Sequence, residues 1–538
     1  MKIKYLILGI LASALVYTSC TDDLDVTPID PDQILAGNLG DDPAYMEQAL
    51  AKIYASFIIS GQADGDADIT SDDDGFFITM RALWNLQTIT TDEGICAWGD
   101  TGISDLNTQT WSAQNSFLTA AYQRLSLSVT YANDFLNTSE DSDNENIVQY
   151  RAEARYLRAL AYYYLMDLFG NPPFTTEEDG VGTYYPEQIQ RADLFDYIVS
   201  ELETIESDLG EPGFSYPQAD QGSCWMLLAR IYLNAEVYTG TAHWEDCKTY
   251  CDKVINSGAY SLADEYRQNF SADNDRDHGN NEMIFAFAED GIYTQGNGGT
   301  TFIIESSSDA TYIPAEDYHG LTNNTNWNGN RARKDLMNIL VDTLTVYGNT
   351  SVPETDTIFA QCPDGRIFFR QKRSIDIPSA SSSGDYGVGV YKFTAKNVDG
   401  TQADNYSSTY ACTDFPIFRL ADAYLMRAES LFNSGNSADA VTDINTIRER
   451  AYGDDSGDIS VDDLDANFIL DERAREFYYE GQRRTDLVRF GQFTDGDYNW
   501  QWKGNTSEGT STSSYRDLFP IPGDEISANP NITQNDGY

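Results

Sequence analysis

Basic residues are scarce in this chain: 34 Lys and Arg stand against 86 Asp and Glu, for a net charge of −52. That imbalance repels polyanions such as DNA, heparin or lipopolysaccharide at long range, and leaves neutral ligands unaffected. Histidine is almost missing; His243, His278 and His319 have no metal-ligand spacing. No serine sits in a GxSxG elbow, and no glycine loop of the Walker or dinucleotide type occurs. Beyond the N-terminus no apolar run reaches the ~20 residues needed to cross a bilayer. Paired carboxylates can hydrolyse glycosides, but among 86 acids any pair can be picked out, so a hydrolase is the less favoured reading.

What is present begins with location. Met1 to Lys4 is a positive start, Tyr5 to Val16 a short apolar run, and Tyr17-Thr18-Ser19 leads into Cys20. That is a secretory signal, and its cysteine resembles a bacterial lipobox. Residues 1–19 are therefore expected to be removed. Cys20 then becomes the lipidated first residue, and 20–40 an anchor and acidic tether opening with Thr21-Asp22-Asp23-Leu24-Asp25. An ordinary export signal with a chance cysteine is the competing reading. Six cysteines remain, which allow 15 pairings, and a chain this long has ample core without them. Cys247 and Cys251, four apart on an expected helix, are expected to be buried thiols.

Aromatics make up 13% of the chain, with 35 Tyr and 8 Trp. Helical text dense in Ala, Leu, Arg and Glu alternates with Gly-, Asn- and Ser-rich text carrying scattered rings. Ala154, Leu157, Ala161, Leu165 and Leu168 share a face and predict a helix over Ile147 to Phe169, stopped by Gly170 and Pro172-Pro173. Further helices are expected at Cys224 to Tyr238, Trp244 to Ile255, Ile417 to Phe432, Ala438 to Tyr452 and Phe468 to Phe490. Ala428, Gly435, Ala440, Ile444 and Ile447 follow the offsets of a tetratricopeptide helical hairpin, so hairpins that stack are expected. The last helix carries Arg473, Arg475, Arg483, Arg484 and Arg489 among Asp471, Glu472, Glu476, Glu480 and Asp486. It reads as an ion-paired structural helix rather than a nucleic-acid surface, with Glu480–Arg484 as a favourable i,i+4 pair.

Several blocks then resemble one family, SusD/RagB. They are Arg151 to Leu160 with Asp167-Leu-Phe-Gly-Asn-Pro-Pro-Phe174; Phe415 to Glu429; Glu472 to Phe490; and Phe519-Pro-Ile-Pro522 with Asn529-Pro530 and Gln534 to Tyr538. They cover essentially the whole mature chain in the family's order. Thr91-Asp92-Glu93, Asn499 to Gly504 and Asp273-Asn274-Asp275 are most similar to the family's starch-binding member. The resemblance implies a mostly α, tetratricopeptide-like scaffold over 41–538, with helical parts at about 116–260, 415–453 and 466–492. Loop-rich binding regions are expected at about 61–115, 261–414 and 493–538. It also implies a non-catalytic lipoprotein of the outer membrane, facing outward, that captures oligosaccharides, starch-like α-glucans first, and passes them to a SusC-like TonB-dependent transporter. The same scaffold binding peptides, or acting mainly as the transporter's lid, is the alternative.

Sugar recognition needs flat rings against the apolar face of a pyranose, with polar groups for its hydroxyls. By resemblance Trp98 and Trp327 are stacking rings and Arg81 a sugar-contacting arginine; Trp327 lies in the amide-rich Thr322 to Gly329. Asp100, Asn297 and Tyr293 complete the candidate glycan-binding set. The chain departs from the starch-binding pattern where Cys96 replaces a second tryptophan and Asn297 a further aromatic. Tyr293, Phe302, Tyr312 or Tyr318 are the candidate substitutes. No cofactor is expected. Asp273, Asp275 and Asp277 could ligate calcium, though without an EF-hand's glycine and terminal glutamate, so a solvated acidic loop is the plainer reading.

Overall fold

The computed structural model describes residues 36–61, 68–69, 78–179, 184–323, 326–341 and 352–538. The expected export signal, Cys20 and the acidic run after it lie outside the described residues. Helices dominate, and no described helix is long and apolar enough to cross a membrane.

The scaffold is built around Glu145–Phe169. Asn144 caps its start by accepting from the Asn146 N–H at 3.0 Å, and Gly170, at φ 75°, ends it. Its Leu157, Ala161, Leu165 and Leu168 are fully buried, each leucine contributing roughly 1.5–3 kcal/mol by leaving water. Around it pack Pro43–Ala55, Ser116–Thr138 and Arg191–Ile205. Two hairpins follow, Gln221–Leu233 with Trp244–Asn256 and Leu420–Asn433 with Ser437–Tyr452, and they stack through Trp244–Asn256 and Leu420–Asn433. Ala428, Ala440, Ile444 and Ile447 fill the second hairpin's seam, and Gly435, at φ 84°, turns the chain between its helices. Cys96, Cys224, Cys247, Cys251 and Cys412 are free thiols, all buried.

Three boundaries differ from the sequence reading. The helix expected over Cys224 to Tyr238 stops at Leu233, because the Asn234 side chain donates back to the Arg230 carbonyl (2.9 Å), and a short Ala235–Thr239 helix follows. Phe415–Arg419 is a strand, because Pro416 has no N–H and disfavours helical backbone before it; the helix begins at Leu420. Phe468 to Phe490 is two helices, Ala466–Phe477 and Arg483–Arg489. Between them Tyr479 and Gly481 take φ of 65° and 71°, which buries Tyr478, Tyr479 and Glu480.

That break reroutes the expected ion pairs. Glu480 reaches Lys392 (2.7 Å) and Arg419 (2.8 Å), while Arg484 pairs with Asp167 (3.1 Å), so the expected Glu480–Arg484 pair is not made. Glu476 meets Arg366 and Arg419, and Arg450 binds both Glu476 and Glu282. Glu472 meets Arg366, Arg448 and Arg475. Burial alone would raise both carboxyls. Arg450, Arg419 and Arg366 bring Glu476 down to about 2, and Arg366, Arg475 and Arg448 do the same for Glu472. The charges of this segment are thus consumed inside the fold, where they join the hairpins to the region 261–414.

That region, expected to be loop-rich, contains Thr300–Ser307, Lys334–Leu340 and Val352–Gln361. It also supplies most of a small antiparallel sheet in the order β1 (Gly94–Cys96), β3 (Asn330–Ala332), β5 (Val388–Val390), β4 (Phe369–Gln371). Strand β2 (Met283–Phe287) pairs instead with β6 (Phe415–Arg419), which ties the region to the second hairpin. The stretch 61–115 likewise holds a fully buried helix, Thr79–Thr88.

Candidate glycan-binding site

The pairing of β1 with β3 places two distant loops side by side. Cys96 lies opposite Asn330, and beyond that pair the Ala97 N–H donates to the Gly329 carbonyl at 2.9 Å. One residue further, the Trp98 indole N–H donates to the Trp327 carbonyl at 3.2 Å, and the two rings lie 6.2 Å apart, tilted by 55°. Both residues are half-buried and pack against the core.

The Trp327 loop is held by the end of a helix. The N–H groups of Trp327, Asn328 and Gly329 donate to the carbonyls of Glu305, Ser308 and Ser306 at 3.0, 2.9 and 2.8 Å. These carbonyls stand at the C-terminus of Thr300–Ser307, where a helix leaves acceptors without internal partners. Asn326 and Asn328 flank the tryptophan at φ 54° and 51°, a conformation asparagine tolerates better than most residues. The Asn328 side chain accepts from the Lys372 ammonium (2.8 Å) and donates to Asp385 (3.3 Å). Glu305 accepts from the Asn326 N–H (3.1 Å) and the Ser308 hydroxyl (3.3 Å). Its burial outweighs those bonds and pushes its carboxyl up to about 7. Glu305, Lys372 and Asn328 were missed by sequence reasoning; asparagines on both sides of Trp327 were the one available signal.

Beneath the pair lies Phe302, fully buried, 6.1 Å from Trp98 and nearly edge-on to it. The Arg81 guanidinium lies 4.6 Å over the Phe302 ring and 5.7 Å from Trp98. One expectation changes here. Arg81 is only 4% exposed, because its whole helix is buried, and its guanidinium lies beside both rings. Phe302 cannot substitute as a surface ring; it is the floor.

Asp100 is exposed two residues beyond Trp98. Tyr293, 86% exposed, and the half-buried Asn297 lie on the loop leading into Thr300–Ser307. In that loop Gly298 packs on Ile78, where a Cβ would stand 2.4 Å away. Tyr312 is half-buried on a turn capped by Asp309, and Tyr318 packs against Tyr391 at 5.0 Å, its hydroxyl engaged by Arg370. Cys96 is buried within β1 and adds no ring. Of the acidic triplet, Asp273 accepts from the Val398 N–H (2.9 Å) and Asp275 pairs with His278 (2.8 Å). Among the described residues no group of three or more carboxylates, histidines or cysteines is placed to hold a metal ion.

A frame of stacked helical hairpins that presents paired tryptophans on a polar loop face defines a helical scaffold protein with an aromatic surface site. The chain belongs to the SusD/RagB family. The family model described as the SusD family matches residues 260–538. The chain is 34% identical over 578 aligned positions to the starch-binding protein SusD of Bacteroides thetaiotaomicron, with the whole of both chains covered. It is 26% identical to a SusD-like protein, P25, of Formosa agariphila, over 79% of this chain and 82% of that one. Among solved structures, a SusD-like protein of Bacteroides fragilis superposes with a TM-score of 0.69 at 17% identity, covering 95% of this chain and all of that one. A laminarin-binding SusD-like protein does so at 0.67 and 20% identity, covering 92% and 99%.

Proposed function

We propose that this protein captures neutral oligosaccharides at the cell surface by stacking them on Trp98 and Trp327, and that it is a binding protein rather than an enzyme. The observation that carries this reading is the tryptophan pair itself: two partly exposed residues whose rings lie 6.2 Å apart, in loops rich in amides. Starch-like α-glucans are the first candidates, in keeping with the name of the 34% identical relative. A stacked ring contributes about 1–2 kcal/mol at ~25 cal/mol per Å². With Cys96 buried and asparagine at position 297 there are fewer rings than the starch-binding pattern has, so affinity is expected to be micromolar or weaker. The lipid anchor on Cys20 and delivery to a TonB-dependent transporter of the outer membrane complete the proposal. They rest on the export signal and on family membership.

Affinity electrophoresis through gels containing starch, pullulan, dextran, laminarin, inulin or mucin glycans is the test. Retardation by one or more, starch and pullulan first, is the expected result, with no new reducing ends on prolonged incubation. Free migration in all of them would favour the peptide-binding or lid reading, and sustained release of reducing ends would overturn the non-enzymatic one.

A further inference from the structure

Away from the tryptophan pair, the surface carries two open grooves of about 780 and 690 Å³, both within the range of ligand sites. Gln188 and Gln190 line both, so the two grooves adjoin at these side chains, and the trough they make up together shares no residue with the Trp98 site. We propose that this trough is a second glycan site, one that holds a neutral chain at a distance from the first.

The rim supplies rings. Tyr184 and Tyr185 are 41% and 59% exposed, while Phe174 and Tyr197 pack edge to face at 4.7 Å in the wall below. Isolated exposed apolar residues need no explanation, but neighbouring rings on the edge of a groove are unusual. The chain from Tyr185 to Gln188 is pinned. The Tyr185 carbonyl accepts from Asn531 (2.8 Å), the Pro186 carbonyl from Asn529 (2.9 Å), and Gln188 exchanges two hydrogen bonds with Thr533 (3.0 and 3.1 Å). A ligand would therefore spend little of its binding energy on ordering the loop.

The wall supplies hydroxyl partners. Glu178, Glu187 and Asp193 offer acceptors, and Gln190 an exposed amide. Arg158, the cation in the first groove, is consumed by Glu177 and Glu201. The surplus of carboxylates turns away anionic polysaccharides, so the ligand is uncharged. A long chain engaging both sites gains by effective concentration, whereas an oligosaccharide too short to span them gains nothing.

The inference rests on the reading of the protein as a glycan binder, and the test separates the two. The full chain, Tyr184→Ala/Tyr185→Ala, Trp98→Ala/Trp327→Ala and the fourfold variant are run in gels containing the polysaccharide that retards the wild type. Calorimetry with a heptasaccharide of the same linkage accompanies them. The tyrosine pair should weaken polysaccharide binding by about tenfold or more, leave heptasaccharide binding at the tryptophans unchanged, and abolish whatever retardation survives in the tryptophan variant. Equal retardation of the tyrosine variant and the wild type would overturn the second site alone. So would a trough that takes up oligolysine and no glycan. A wild type that no glycan retards would sink the underlying reading, and this inference with it.

Discussion

Gly329 lies directly against the Trp98 indole: a Cβ built on it would stand 2.2 Å from Cε2 of that ring. The close approach lets Trp98 reach the Trp327 carbonyl while its plane stays beside the strand pair. Gly329→Ala must displace the ring, since a fused aromatic cannot bend away. We expect about tenfold weaker glycan binding, from the loss of roughly one ring's contribution. The Asn328 and Trp327 backbone bonds to the helix end should survive. Calorimetry of the variant checks this, and unchanged affinity would mean that the Trp98 ring position does not matter to recognition.

Trp98→Ala and Trp327→Ala should each weaken binding by about tenfold or more, since each removes a ring that contributes ~1–2 kcal/mol. Both side chains are half-buried, and the floor under them, Phe302 with Arg81, is complete without them. Melting temperatures should therefore fall by only a few degrees. A large drop would assign the indoles to the core.

Glu472 and Glu476 hold carboxyl values of about 2, below the ordinary 4.5. A depressed folded value means that their pairing stabilises the fold fully above about 4.5 and is lost as pH falls from there toward 2. The contribution of these two pairings should be level from neutral pH to about 5 and then fall steeply. Glu476→Gln leaves Arg419 and Arg450 short of a buried partner and should cost about 3–5 kcal/mol at pH 7, with a shallower acid slope. Urea titration at pH 7, 4 and 3 reads both effects.

Glu305 shows the opposite sign. Its folded value of about 7 exceeds the ordinary 4.5, so the folded state binds the extra proton. That contribution is fully present below about 4.5 and is lost as pH rises through 7. Glu305→Gln keeps an oxygen for the Asn326 N–H and removes the charge. Its melting temperature should gain on the wild type between pH 5.5 and pH 8.5. A constant difference over that window would show that Glu305 does not titrate there.

Much of the frame was legible because its helices have a solvent face. Apolar spacing placed Glu145–Phe169 to within two residues, and the seam of Ala428, Ala440, Ile444 and Ile447 announced its hairpin. Thr79–Thr88 left no such trace. Every residue of it is buried, Arg81, Asn85 and Gln87 included, so no polar face alternates with an apolar one. The break after Phe477 was hidden for a related reason. Charges continue through it at helical spacing, and only Gly481 hinted that their partners lie on other segments. Trp98 and Trp327 could be singled out by their polar loops and by resemblance. That they touch depends on a three-residue strand pairing far apart in sequence, which has no local signature.

The same pairing has a consequence for biogenesis. Residues 94–96 and 330–332 must find each other across more than two hundred intervening positions, a slow, non-local closure. Until they do, the indoles are on separate, unrelated loops. Stacking at the proposed tryptophan site thus reports that this strand pairing is complete, a step that the helical hairpins alone do not supply.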